Sequence, residues 1–129
     1  MAPYITKHLS KRPFNEAIDL ITEELRTEQF GVITTIDVKE TMKVKLDLEF
    51  RNYTILGACN PSFAHKALSL NDKVGVLLPC NVVVQEWDDT IEVSAMDPRV
   101  MMAGEKHPEM LNLAEELGSK LDRVLNRLS

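Results

Sequence analysis

Two segments of the chain resemble each other, ILGACN at residues 55–60 and VLLPCN at residues 76–81. They contain the only two cysteines of the chain, Cys59 and Cys80, and a helix-like stretch separates them. Two strands joined by a helix in one β-α-β unit run parallel, so their ends point the same way. We therefore expect neighbouring parallel strands that bring Cys59 and Cys80 together near the start of the intervening helix.

The pattern along the chain predicts one α+β domain over residues 1–129, in two layers, with a mixed β-sheet packed by helices and a long C-terminal helix. Residues rich in Val, Ile and Thr predict strands, and apolar residues at three-four spacing predict helices. The predicted strands are 4–9, 31–37, 51–59, 74–86 and 90–96. The predicted helices are 13–28, 38–46, 61–70, one that opens at Pro98, and a last one with its apolar residues between 110 and 128.

Two helix starts share one signal, an Asx residue followed by proline: Asn60-Pro61 and Asp97-Pro98. An Asx side chain accepts backbone N–H groups at a helix start, and proline suits the first helical position. The pair Asp88-Asp89 predicts a tight turn between two strands. Antiparallel pairing across that turn would place Cys80 opposite Asp97.

Composition and charge exclude several classes of function. The formal charge of -5 and the pI near 5.2 oppose binding to nucleic acid, because that affinity depends on Lys and Arg neutralising phosphates. No stretch approaches the roughly 20 apolar residues of a membrane span, and the first residues have no signal-peptide core. We expect a cytoplasmic protein with two free thiols. The glycine-rich phosphate loop, CxxC, HExxH and GxSxG motifs are absent.

Four segments of the chain resemble a known bacterial family, the domain of unknown function 302. They are residues 31–38, residues 53–61 ending in GACNP, residues 77–84 containing LPCN, and residues 94–98. The resemblance covers nearly the whole chain. It implies a compact α+β domain that forms a dimer, without an established activity, cofactor or catalytic residue to transfer to this sequence.

Cys59 and Cys80 are the main candidates for a binding site, including a site for a soft metal. Cys59 precedes a helix start, where the positive end of the helix dipole favours a thiolate and lowers a cysteine pKa. Cys80 lies among apolar strand residues, which raise a thiol pKa. The alternative is that both cysteines only pack, since free cysteine is among the most buried residue types.

Four polar residues near the two cysteines complete the candidate set. His65 follows Cys59 by six positions in the sequence and is either a ligand or base, or a partly exposed structural histidine. Asn60 and Asp97 act first as helix caps, and Asn81 follows Cys80 directly.

Three functions remain open at this point. The first is a domain that binds a small molecule, a sulfur species or a soft metal at Cys59 and Cys80; no cofactor is assigned. The second is a homodimeric interaction module whose cysteines only pack, with the apolar stripe of the C-terminal helix as the dimer contact. The third is a cysteine-dependent enzyme, for which the sequence identifies no general base.

Overall fold

Five strands form a single sheet. The computed structural model describes residues 1–129. The strands are β1 (Tyr4–Ser10), β2 (Gly31–Asp37), β3 (Tyr53–Cys59), β4 (Cys80–Glu86) and β5 (Thr90–Met96). Their spatial order is β1-β5-β4-β3-β2, so β1 and β2 are the edges. The α+β class, the single sheet and the long C-terminal helix agree with the prediction from the sequence.

Five α-helices connect and cover the strands. They are α1 (Phe14–Thr27), α2 (Val38–Leu46), α3 (Pro61–Leu70), α4 (Pro98–Met101) and α5 (Pro108–Arg127). The side chains of Asp37, Asn60 and Asp97 accept backbone N–H groups at the starts of α2, α3 and α4. The caps at Asn60 and Asp97 are the two that the sequence analysis predicts, because an Asx side chain satisfies N–H groups that have no partner within the helix.

The sheet is antiparallel throughout, which corrects the expectation of a mixed sheet with a parallel β-α-β unit. The chain leaves the sheet at Cys59, the end of β3, and re-enters it at Cys80, the start of β4. The connection through α3 therefore returns to the end of the sheet that it left. A parallel strand would require the connection to cross to the other end.

The expected long strand over residues 74–86 is also corrected. Val74–Leu77 forms a 3₁₀ turn, and the strand begins only at Cys80. Pro79 stands directly before the strand, and proline has no N–H group to donate to a sheet ladder. The two Cys-Asn segments are therefore similar in sequence but not in structure, because the first contains the end of a strand and the second contains the start of one.

The β4–β5 hairpin has the register that the sequence predicts. The Trp87 N–H donates to the carbonyl oxygen of Thr90 at 2.9 Å, which closes the two-residue turn Asp88-Asp89. The register pairs Val82 with Ala95, and its continuation places Cys80 level with Asp97. A two-residue turn fixes the register of a hairpin because its length determines which residues of the two strands pair.

One face of the sheet and the helices α1, α3 and α5 enclose the core. The apolar stripe of α5 lies inside this core, and its buried residues are Met110, Ala114, Leu117, Gly118, Leu121, Val124 and Leu125. This corrects the expectation that the stripe forms a dimer contact, because its apolar surface is already buried within the chain. None of the helices combines the length and the apolar character needed to cross a membrane.

Candidate functional site

The two cysteines come together where β3 ends and β4 begins. Ala58, the residue before Cys59, pairs directly with Cys80 across the antiparallel ladder. Asn60 then caps α3, so the first turns of that helix lie beside both cysteines. The sequence predicts the proximity of the cysteines and of the helix start, but it predicts the wrong strand direction.

Both cysteines line one cavity of about 300 Å³. Of its ten lining residues, eight are hydrophobic. The lining residues are Ile33, Ala58, Cys59, Asn60, Phe63, Ala64, Leu68, Leu78, Pro79 and Cys80. No charged side chain and no histidine belongs to this set, so the cavity offers sulfur and apolar carbon to a ligand rather than charge.

The two thiols differ in exposure and in acidity. Cys80 is 2% exposed, whereas Cys59 is half-buried. Burial raises the pKa of Cys80 to about 12, and the neighbouring Cys59 adds to the increase, because a second negative charge nearby is unfavourable. The apolar strand environment of Cys80 predicts this direction from the sequence. At neutral pH, Cys80 is therefore a neutral thiol.

Asn60 acts mainly as a structural residue at the edge of the cavity. Its Oδ1 accepts the Phe63 N–H at 3.2 Å, and its Nδ2 donates to the Glu28 carbonyl oxygen at 3.5 Å. The first bond caps α3, and the second joins α3 to the end of α1. With both ends of the amide engaged, Asn60 fixes the position of the helix that forms one wall of the cavity.

His65 and Asn81 lie outside the cavity. His65 is exposed and lines a surface groove between α3 and α5, together with Glu109 and Glu116. Asn81 is exposed on the opposite face of the sheet, because successive residues of a strand point to opposite faces. There it lines a shallow depression that also includes Tyr4 and Tyr53. Neither residue lines the cavity that contains the two cysteines.

Asp97 belongs to an ion cluster rather than to the cavity. Its Oδ1 accepts the Arg99 Nε–H at 2.8 Å, and Arg99 Nη1 donates to Asp122 Oδ2 at 2.8 Å. Hydrogen bonds to the two carboxylates raise the pKa of Arg99, with Asp122 contributing most. The cluster joins α4 to α5, which gives Asp97 a structural role beyond that of a helix cap.

The donor set for a metal is small. No group of three or more His, Cys, Asp or Glu side chains is arranged to hold a metal ion. Among the residues that line the cavity, Cys59 and Cys80 are the only ones of these four types. Thiolates suit soft metals such as Cu(I), but closed structural sites for zinc use four ligands.

Sequence reasoning missed Ile33, an apolar residue of the cavity that comes from a distant segment of the chain. Ile33 stands at an irregularity of the β2–β3 ladder, where the register shifts between Val32 and Thr34. A bulge turns a side chain out of the regular alternation. The sequence GVITTID contains no local signal for that bulge.

The fold and the cavity define a class of protein: a two-layer α+β domain with an antiparallel sheet and a cavity lined by two cysteines at one end of it. The chain belongs to the family described as domain of unknown function DUF302, whose sequence profile matches residues 5–128. A crystal structure of an uncharacterized conserved DUF302 protein from Bacillus stearothermophilus has the same fold, with a TM-score of 0.90. That protein is 29% identical, and the alignment covers 100% of both chains. No protein with a curated description matches this chain.

Proposed function

We propose that this protein binds a small, largely apolar molecule that carries a soft atom, in the cavity formed by Cys59, Cys80 and the start of α3. One observation carries the proposal: both cysteines line a single cavity of about 300 Å³ with mainly hydrophobic walls. Small-molecule sites are concave and mostly apolar, with a few placed polar groups that orient the ligand. Here the sulfurs take the place of those polar groups.

The two sulfurs have different roles in this proposal. Cys59 is half-buried and is therefore the thiol that contacts the soft atom of the ligand. Cys80 is buried and has a pKa of about 12, so it contributes a neutral, polarisable wall. A metal held by both sulfurs would find no third His, Cys, Asp or Glu side chain arranged to complete its coordination. We therefore place an organic or sulfur-bearing molecule ahead of a soft metal.

Binding is also favoured over cysteine-dependent catalysis. One common way to activate a catalytic thiol is a base within hydrogen-bonding reach that accepts its proton. The residues that line the cavity include no histidine and no carboxylate, and His65 lines a separate groove. The cavity therefore supports contact with a ligand more directly than chemical activation of Cys59.

The test uses thioanisole, an uncharged aromatic thioether, and Cu(I) as separate probes for reduced protein. The change Ala64→Leu fills the cavity from α3, and Ser69→Leu is the control, since Ser69 lies on the same helix but does not line this cavity. We expect saturable binding of thioanisole by ligand-observed NMR, lost in Ala64→Leu and retained in Ser69→Leu. Binding of Cu(I) alone would shift the proposal to a metal, and saturation by neither probe would refute it.

We further propose that the protein is a homodimer, as the family resemblance implies. The supporting observation is a concentration of exposed aliphatic side chains on β2, on α2 and directly after α2. Their exposed fractions are Ile33 63%, Ile36 49%, Val44 71%, Leu46 62% and Leu48 54%. Of these, Ile36 and Val44 line one groove, and exposed apolar surface of this kind marks interaction sites on soluble proteins.

A further inference from the structure

The two edges of the sheet differ in their protection against pairing with another strand. The edge strand β1 carries Lys7 and His8, and charged side chains on an edge discourage such pairing. The edge strand β2 has no charged residue from Gly31 to Ile36. Its one charge, Asp37, caps α2 instead. A bulge between Val32 and Thr34 interrupts this edge, and residues 34–36 form its regular, uncharged and exposed part.

The surroundings of β2 leave that edge accessible. The helix α2 follows β2 directly, but it packs against β3 and buries none of its own residues. A groove of about 410 Å³ lies between β2 and α2, and its apolar lining residues are Ile36 and Val44. A helix whose apolar residues are at most half-buried, beside an exposed strand edge, offers a surface to a partner.

We propose that a second copy of this chain pairs with β2 in antiparallel fashion about a two-fold axis, and that this pairing closes the cavity that contains Cys59. Self-pairing about a two-fold axis places β2 against its own copy running in the opposite direction, the pairing mode of every strand pair in this sheet. The result is a continuous ten-stranded sheet across two protomers.

Charge and area both favour a second copy as the occupant. Although the chain has a net charge of -5, the stretch Gly31–Ile36 is uncharged, so self-pairing brings no like charges of the strand together. The five exposed aliphatic side chains on β2, on α2 and after α2 present on the order of 400 Å², about half of the roughly 800 Å² that one partner contributes to a standard interface. The backbone and polar atoms of β2 add to this area.

Ile33 connects the interface to the cavity. It lies on the edge strand, it is 63% exposed, and it lines the cavity that holds both cysteines. Leu68, on the α3 side of the same cavity, is 43% exposed. A partner strand beside β2 covers Ile33 and so completes the wall of the cavity. The inference rests on the proposed function only in treating this cavity as the binding site.

The first experiment measures assembly without any ligand, by analytical ultracentrifugation over a concentration series. The variant Ile36→Lys places a charge on the β2 surface without altering the cavity, because Ile36 is not among its lining residues. The control is Val76→Lys, at an aliphatic residue that is 87% exposed and lies outside the sheet. We expect wild type and Val76→Lys to be dimers at micromolar concentration and Ile36→Lys to be a monomer.

The second experiment measures the alkylation rate of Cys59 in the Cys80→Ser background with and without Ile36→Lys. Release of the partner should increase the rate about tenfold, and dilution of the protein below its dimerisation constant should have the same effect. A monomeric wild type, or equal dissociation of Ile36→Lys and Val76→Lys, would overturn the interface. Equal alkylation rates in dimer and monomer would overturn the closure of the cavity. Thioanisole binding plays no part in either readout, so failure of the proposed function is seen separately.

Discussion

The guanidinium group of Arg99 lies directly against Gly118, at the middle of α5. A Cβ atom at Gly118 would stand 2.4 Å from Nε of Arg99 and 2.8 Å from its Cζ. The absence of a side chain at this position lets Arg99 reach Asp122 on the same helix while it also bonds Asp97. Gly118, which interrupts the helical pattern of the sequence, is therefore required by the contact between α4 and α5.

The first prediction is that Gly118→Ala destabilises the wild-type protein but stabilises a variant that lacks the Arg99 side chain. In the wild-type background, Gly118→Ala should lower the free energy of unfolding by about 1–2 kcal/mol, because the added methyl group displaces Arg99 from its carboxylates. In an Arg99→Ala background, the same change should raise that free energy by up to about 1 kcal/mol, because alanine is the better helix former. Urea unfolding of the four proteins measures both values. Equal changes in the free energy of unfolding in both backgrounds would show that the contact between Arg99 and Gly118 does not affect stability.

The second prediction compares two glycines of neighbouring strands. A Cβ at Gly57 would lie 2.0 Å from Thr34 Oγ1 and 2.8 Å from Pro79 Cγ, whereas a Cβ at Gly31 has no neighbour within 4 Å. Gly57→Ala should therefore reduce the free energy of unfolding by about 1–3 kcal/mol, the usual cost of overpacking. Gly31→Ala should change it by less than about 0.5 kcal/mol. The prediction fails when chemical denaturation gives similar values for the two variants.

The third prediction concerns the order of thiol labelling. In the folded protein, iodoacetamide should modify Cys59 faster than Cys80, because Cys80 is buried and keeps its proton up to a pKa of about 12. The single variants Cys59→Ser and Cys80→Ser assign each rate by mass spectrometry. In urea, where burial is lost, the two rates should become similar. Faster labelling of Cys80 in the folded state would contradict both its burial and its raised pKa.

The fourth prediction is a loss of stability in acid that depends on Glu28. The hydrogen bond from Arg123 lowers the pKa of Glu28, and Arg127 acts in the same direction. A carboxylate whose pKa is lower in the folded than in the unfolded state stabilises the folded state at pH values above its unfolded pKa. This contribution is lost as the pH falls through the lowered, folded-state pKa. The difference in unfolding free energy between neutral pH and about pH 3 should therefore be smaller in Glu28→Gln than in wild type.

The matched control for this acid effect is Glu23→Gln, which removes the same charge five positions earlier, within α1. Glu23 forms only an exposed pair with Arg26 at 3.4 Å, with 64% of its side chain exposed. Pairs of this kind contribute little to stability. If the free energy of unfolding depends on pH identically in Glu28→Gln and wild type, Glu28 does not cause the loss of stability in acid.

Structural features that depend on residues close together in the sequence could be predicted before the fold was known. Asn60 and Asp97 are helix caps because an Asx side chain reaches N–H groups only two or three positions ahead. The hairpin register follows from the two-residue turn at Asp88-Asp89, and the high pKa of Cys80 follows from its apolar strand. The α+β class follows from the order and periodicity of the segments.

The direction of β4, the composition of the cavity and the burial of the α5 stripe depend on contacts between distant segments. Two strands joined by a helix can run parallel or antiparallel, and the choice depends on where the connection re-enters the sheet, which no local pattern records. Ile33 reaches the cavity through a bulge, and Gly118 accommodates an arginine from another helix. The apolar stripe of α5 could have been buried within the chain or between two chains. Packing against the sheet settled this choice, because contacts between distant segments determine which surfaces are covered.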